Sequence, residues 1–160
     1  MIDVLLAAFM VCATGDNSNA ALDRWEQGGV PIVRTCGDSP NTLYITDGMP
    51  PLDWPIEPWM IGATWGKEAY CWAPWGLEVF VCAHEIGHLL GLNHPYEGGR
   101  CQGQWHMENP YALAFGNPFA LGFIRPEAAN PTVMDGGGCP GAINGPYPAD
   151  IAAVMRLTTR

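Results

Sequence analysis

The sequence predicts a small α+β domain, and three observations carry that prediction. Short apolar runs bounded by turn residues fill the first half of the chain. One stretch, Leu77 to Leu90, switches to helical periodicity. Beyond it the chain is loop-rich until a short amphipathic run closes it. At 160 residues there is room for one hydrophobic core and none for a second full domain beside it, so residues 1–160 read as a single unit.

Taken in order, Val4 to Ala13 (VLLAAFMVCA) is apolar but too short to span a bilayer. It lacks a basic flank, and a buried first helix or strand is a better reading than the remnant of a signal peptide. Thr14 to Asn19 is a turn with capping residues, so a helix is expected from near Ser18 to Gln27, with Gly28-Gly29 ending it. Val30 to Arg34 and Leu43 to Thr46 read as strands, and the proline-rich stretch 50–58 as a surface loop. Ile61 to Trp65 and Glu68 to Trp72 follow as two more strands around a Gly66-Lys67 turn. In the helix from Leu77, residues Val79, Cys82, Ala83, Ile86 and Leu90 form one apolar face, and Gly91 stops it. Pro146 and Pro148 delay the last helix until Asp150, which is expected to cap it.

Composition narrows the function. Sixteen acidic against seven basic residues give a net charge of −9, which repels phosphate backbones and anionic lipid, so nucleic acid is not an expected partner. Seven Trp and five Tyr suit a groove lining or loops strapped onto the core. The six cysteines (12, 36, 71, 82, 101 and 139) contain no CxxC pair, which argues against a cysteine-built zinc knuckle. They permit up to three disulfides and an oxidising compartment, with the pairing open. Cys82 reads as a free thiol in the core, and Cys101 and Cys139 are expected to bridge.

The run from His84 to His94 (HEIGHLLGLNH) carries the chemistry. Histidines four apart on a helix lie one turn apart on the same face, so His84 and His88 can reach one ion. Glu85 projects beside that face, where it can act as a base on a water at the ion. A third ligand requires the chain to reverse after the helix; Gly91 tolerates the positive φ that brings His94 back. Three neutral nitrogens leave a fourth tetrahedral position for water, as in a catalytic rather than a structural zinc site. Chance agreement with the extended pattern is on the order of one in a hundred thousand per chain at average residue usage. His106, the fourth histidine, reads as a loop residue.

This HExxHxxGxxH run resembles that of the metzincin clan of zinc endopeptidases, and Pro131 to Asp135 (PTVMD) is similar to the clan's Met-turn. The resemblance implies a twisted, mostly parallel sheet above the zinc helix in residues 1–94. It also implies an irregular lower part, 95–160, that contains the Met-turn and ends in a helix. Met134 would form the hydrophobic floor under the zinc. Residues 21–25, 30–34 and 41–48 are similar, more weakly, to the first helix and strands of matrixins, and 150–157 to their closing helix. About 40 residues separate His94 from Met134, a spacing nearer to reprolysin-like enzymes, and the subfamily stays open. Gly136 stands where astacins and serralysins carry a tyrosine, so no fifth ligand is expected. Arg34 to Asp38 (RTCGD) loosely resembles the cysteine switch of matrixin propeptides, but a strand end with Cys36 in a disulfide is the better account.

The expected activity is zinc-dependent hydrolysis of peptide bonds with Glu85 as general base. Substrate in that clan adds to the sheet's edge strand. Gly62, Ala63 and Thr64 on the 61–65 strand are the candidates for that contact, with Pro146 and Tyr147 for the pocket wall. The resemblance implies one catalytic Zn2+; Ca2+ is common in the clan, yet no calcium pattern is readable here. A monomer acting on a peptide or protein, in a secreted or otherwise extracytoplasmic setting, is the expected form. The competing readings are a zinc-binding interaction domain without proteolysis and a narrow-specificity aminopeptidase.

Overall fold

Strand β3 (Leu43–Asp47) is the centre of a five-stranded sheet in the computed structural model, which describes residues 8–58, 60–73, 76–92, 133–134 and 145–158. The other strands are β1 (Phe9–Thr14), β2 (Ile32–Arg34), β4 (Gly62–Trp65) and β5 (Glu68–Cys71). Their spatial order is β2-β1-β3-β5-β4. The pairs β1–β2, β1–β3 and β3–β5 are parallel, and β4 alone runs antiparallel, against β5. Among the described residues three helices accompany the sheet: α1 (Asp16–Gln27), α2 (Glu78–Leu89) and α3 (Pro148–Thr158). The α+β class and the mostly parallel sheet thus match the sequence expectation. Most of the lower part, 95–160, lies outside the described residues, as do His94, Cys101, His106, Gly136 and Cys139.

From Phe9 onward the apolar stretch near the start forms strand β1, with Val11 and Cys12 buried. Helix α1 begins two residues earlier than its own capping residues suggest. The reason is a partner from elsewhere in the chain: the Asp47 carboxylate, at the end of β3, accepts from the Asn17 N–H at 2.9 Å and the Ser18 N–H at 2.7 Å. An anion on the first-turn amides serves as the cap. Gly15 is needed beside it, because a Cβ there would lie 2.2 Å from Asp47 Cγ and φ is +137°.

Val11, Leu43, Ile45 and Ala69 from the sheet meet Leu22, Trp25, Ile86 and Leu89 from the helices in one core. Trp25 is fully buried, and its indole N–H donates to the Ala83 carbonyl at 3.0 Å, tying α1 to α2. Helix α2 is buried on most of its surface; Phe80 and Val81 are inside with Cys82, Ala83 and Ile86, whereas Val79, expected in the apolar stripe, is only partly covered.

Among the described residues there are two disulfides. Cys12 in β1 joins Cys36 just after β2, and Cys71 at the end of β5 joins Cys82 in α2. Cys82 is therefore not a free core thiol: the last residue of β5 lies directly against the helix, a proximity that helical periodicity does not encode. Cys36 is bridged as expected, and Arg34 beside it is held by α1, where its guanidinium forks onto Glu26 with two 2.9 Å contacts and also meets Asp23. The Glu26 contact raises the Arg34 pKa, followed in weight by the opposing effect of partial burial. The RTCGD segment is thus a stapled strand end with no thiol to offer a metal.

Helix α3 starts at Pro148, not at Asp150. Proline is tolerated in the first turn, where its missing N–H removes no helical bond. On the outer side of β4 and β5, Trp54 from the proline-rich loop packs edge-on against Trp65 and Tyr70, with ring centroids 5.7 and 5.0 Å away. Aromatic residues here strap a loop to the sheet. Among the described residues no helix is long and apolar enough to cross a membrane.

Candidate metal centre

His84 and His88 project from one side of α2, a turn apart, with ring centroids 4.8 Å apart and planes at 82°. Each ring is oriented through its Nδ1. His84 Nδ1 donates to the Val133 carbonyl at 2.7 Å, and His88 Nδ1 donates to the Leu92 carbonyl at 2.9 Å. A carbonyl can only accept, so both Nδ1 atoms carry a proton, and each ring in its neutral form presents a lone pair at Nε2. The two Nε2 atoms are 3.1 Å apart. Lone pairs at that distance repel unless a cation or a shared proton lies between them. Burial disfavours the charged ring and lowers the His84 pKa, outweighing the Val133 contact, which acts in the opposite direction. Two imidazoles on one tetrahedral zinc would have nitrogens about 3.3 Å apart at ordinary bond lengths. The donor set and its separation fit a metal ion.

The carbonyls that hold the rings are themselves fixed by recognisable devices. Gly91 has φ +102°, and beyond it the chain closes a Schellman motif: Gly91 N–H donates to His88 O at 3.0 Å, and Leu92 N–H to Gly87 O at 2.9 Å. That turn aims the Leu92 carbonyl at His88. The positive φ expected at Gly91 is present; His94, three residues on, lies outside the described residues.

The other carbonyl belongs to the Val133–Met134 pair, both fully buried. A Cβ on Gly87 would stand 2.4 Å from Met134 Sδ and 3.4 Å from Trp25 Cζ2, so the glycine inside the HEIGH motif is what lets Met134 reach the helix. Asp150 completes the support: its buried carboxylate accepts from the Val133 N–H and the Tyr147 N–H, each at 2.8 Å. The residue expected to cap the last helix in isolation instead joins that helix to the Val133–Met134 turn. Pro146 and Tyr147, expected as pocket wall, are partly buried at this junction.

Glu85 is turned toward β4, the outermost strand of the sheet. Its Oε2 accepts from the Thr64 hydroxyl at 2.6 Å, and both residues are buried. A Cβ on Gly62 would lie 2.5 Å from Glu85 Oε1. Gly62 and Thr64 therefore share the face of β4 that meets α2, as strand alternation requires, while Ala63 and Trp65 point to the other side. Thr64, expected to contact substrate, spends its hydroxyl on Glu85. Burial pushes the Glu85 pKa up to about 8, with the Thr64 bond acting in the opposite direction.

A second group of ligand-type atoms, from Asp47, Cys71 and Cys82, lies within 4.8 Å of one another and could hold an ion if the cysteines were reduced. Here the two sulfurs are bonded to each other and the Asp47 carboxylate caps α1, so neither thiolate charge nor a spare anion is offered.

Comparison with known proteins returns no match among protein-family models, curated proteins or solved structures.

Proposed function

We propose that this chain is a zinc-dependent endopeptidase of metzincin type. The observation that supports it most is the pair of Nε2 atoms 3.1 Å apart, with both rings locked through Nδ1 onto backbone carbonyls and a buried glutamate on the same helix. A structural site has no use for a base beside it. His84 and His88 would hold the ion, with His94 as third ligand and Met134 beneath. Zinc bound there would polarise the scissile carbonyl and bring the pKa of a water toward neutrality.

The chain's own residues supply the rest. The Val133 and Leu92 carbonyls fix the tautomer of the ligating rings and raise their basicity. Glu85 takes the proton of the attacking water and returns it to the leaving amine. With Oε2 engaged by Thr64, Oε1 is the oxygen that receives that proton. Burial of the carboxyl makes it a stronger base than an exposed glutamate, and a cation at the histidines offsets part of that shift. The outermost position of β4 suits an extended peptide added alongside Gly62 to Thr64 through main-chain bonds. The two disulfides support an oxidising, extracytoplasmic setting.

Incubation of the purified protein with a denatured protein substrate, with and without a chelator, tests this reading. Internal cleavage that stops with the chelator and returns with zinc is expected, and Glu85→Gln should lower it by about 10²- to 10⁴-fold while zinc stays bound. Zinc-loaded protein inert toward every substrate would favour a non-proteolytic interaction domain; trimming from chain ends alone would favour an aminopeptidase.

A further inference from the structure

The geometry points to Thr64 as a positioning residue for Glu85, an inference that rests on the peptidase reading above. Thr64 Oγ1 lies 2.6 Å from Glu85 Oε2 and 3.3 Å from the main-chain carbonyl of the same residue. A hydroxyl has one proton and two lone pairs. When the carboxyl is ionised, the hydroxyl donates to Oε2. When Oε1 receives the proton of the attacking water, Oε2 still accepts from the same hydroxyl. The hydroxyl thus anchors one carboxyl oxygen and leaves the other for the reaction.

The placement is specific to the backbone around it. Gly62, two residues before Thr64 on the same face of β4, has no Cβ, and any Cβ there would fall 2.5 Å from Oε1 and 2.7 Å from Val81 Cγ1. The carboxyl thus lies against a glycine on one side and a hydroxyl on the other. A β-branched residue at position 64 has few accessible χ1 states, which keeps the hydroxyl aimed at the helix. An unanchored glutamate would sample several rotamers, and misplacement of a reacting group by about 1 Å is enough to lower a rate on the order of 10²-fold.

Thr64→Val keeps the shape and removes the hydroxyl; Thr64→Ser keeps the hydroxyl and trims a methyl. In the full chain, Thr64→Val is expected to lower kcat about 10- to 100-fold with KM and zinc content unchanged. Thr64→Ser is expected to recover all but a few-fold of that loss. A readout without turnover separates this from activity: carboxyl 13C NMR of glutamate-labelled, zinc-free protein, with the Glu85 resonance identified by its absence in Glu85→Gln. Thr64→Val should move that resonance and Thr64→Ser should leave it nearly in place. An unmoved resonance, a kcat unchanged in Thr64→Val, or a loss that serine does not recover would each overturn the inference while leaving the peptidase reading intact. A wild-type protein that binds zinc and cleaves nothing, with the resonance still responsive, would overturn both and reduce the contact to a structural bond.

Discussion

Gly87 and Met134 touch so closely that a single added carbon on the glycine would stand 2.4 Å from the methionine sulfur. The contact joins the middle of the HEIGH motif to a turn 47 positions away, and that turn carries the carbonyl that orients His84. The histidine pair is therefore shaped as much by what lies under the helix as by the helix itself.

Gly87→Ala separates local from tertiary effects. In an isolated helix the change stabilises by about 1 kcal/mol. Overpacking a filled core costs about 1–3 kcal/mol, and Met134, fully buried, has little room to retreat. A net loss of stability and weaker zinc binding are expected, measured by thermal unfolding and by competition with a zinc chelator. A rise in Tm with unchanged zinc affinity would show that Met134 does not press on the helix.

Asp150→Ala removes the acceptor shared by the Val133 and Tyr147 amides and leaves two donors to find water. Hydrogen bonds to a charged group are worth about 1.5–3 kcal/mol each. For the two bonds together a drop in Tm of roughly 6–24 °C follows in a domain of this size. Because Val133 also holds His84, zinc affinity should fall about 10- to 100-fold, the range usual for residues that orient a ligand. Equal zinc affinity in a destabilised variant would break the proposed link from Asp150 to His84.

The zinc-free protein should lose stability as pH rises from 6.5 toward 8. Glu85 has a folded pKa of about 8 against 4.5 in the unfolded chain, so it favours the folded state below about 4.5 and that contribution fades up to about 8. His84 has the opposite sense: its folded pKa is lowered, so its contribution is present above 6.5 and lost as pH falls below that value. Above 6.5 the histidine contributes no slope and the glutamate dominates. Urea unfolding between pH 6.5 and 8 should show the decline in wild type and a flatter line in Glu85→Gln. Identical slopes would mean that Glu85 is not held protonated in the fold.

Local features of the fold and site are legible in the sequence, and long-range ones are not. His84, Glu85, His88 and the Gly91 reversal follow from helix geometry and a left-handed glycine, both encoded within a few residues. The positions of β2 to β5 agree with the turn-bounded apolar runs to within a residue or two, whereas the first apolar run is compatible with helix or strand. By contrast, the Asp47 cap on α1, the Cys71–Cys82 bridge and the Thr64–Glu85 bond join residues 11 to 30 positions apart. Each arises only once the sheet order has set β3, β5 and β4 against the helices. The Gly62-x-Thr64 alternation placed both residues on one face of β4, but nothing in the sequence says that this face meets Glu85 rather than substrate.

X-ray absorption at the zinc edge of the loaded protein tests the central claim most directly. Coordination by His84, His88 and His94 with water in the fourth place predicts one zinc per chain and a shell of light atoms only, at about 2.0–2.1 Å, with imidazole outer-shell scattering. A sulfur shell near 2.3 Å would place the ion at the cysteines and contradict the account.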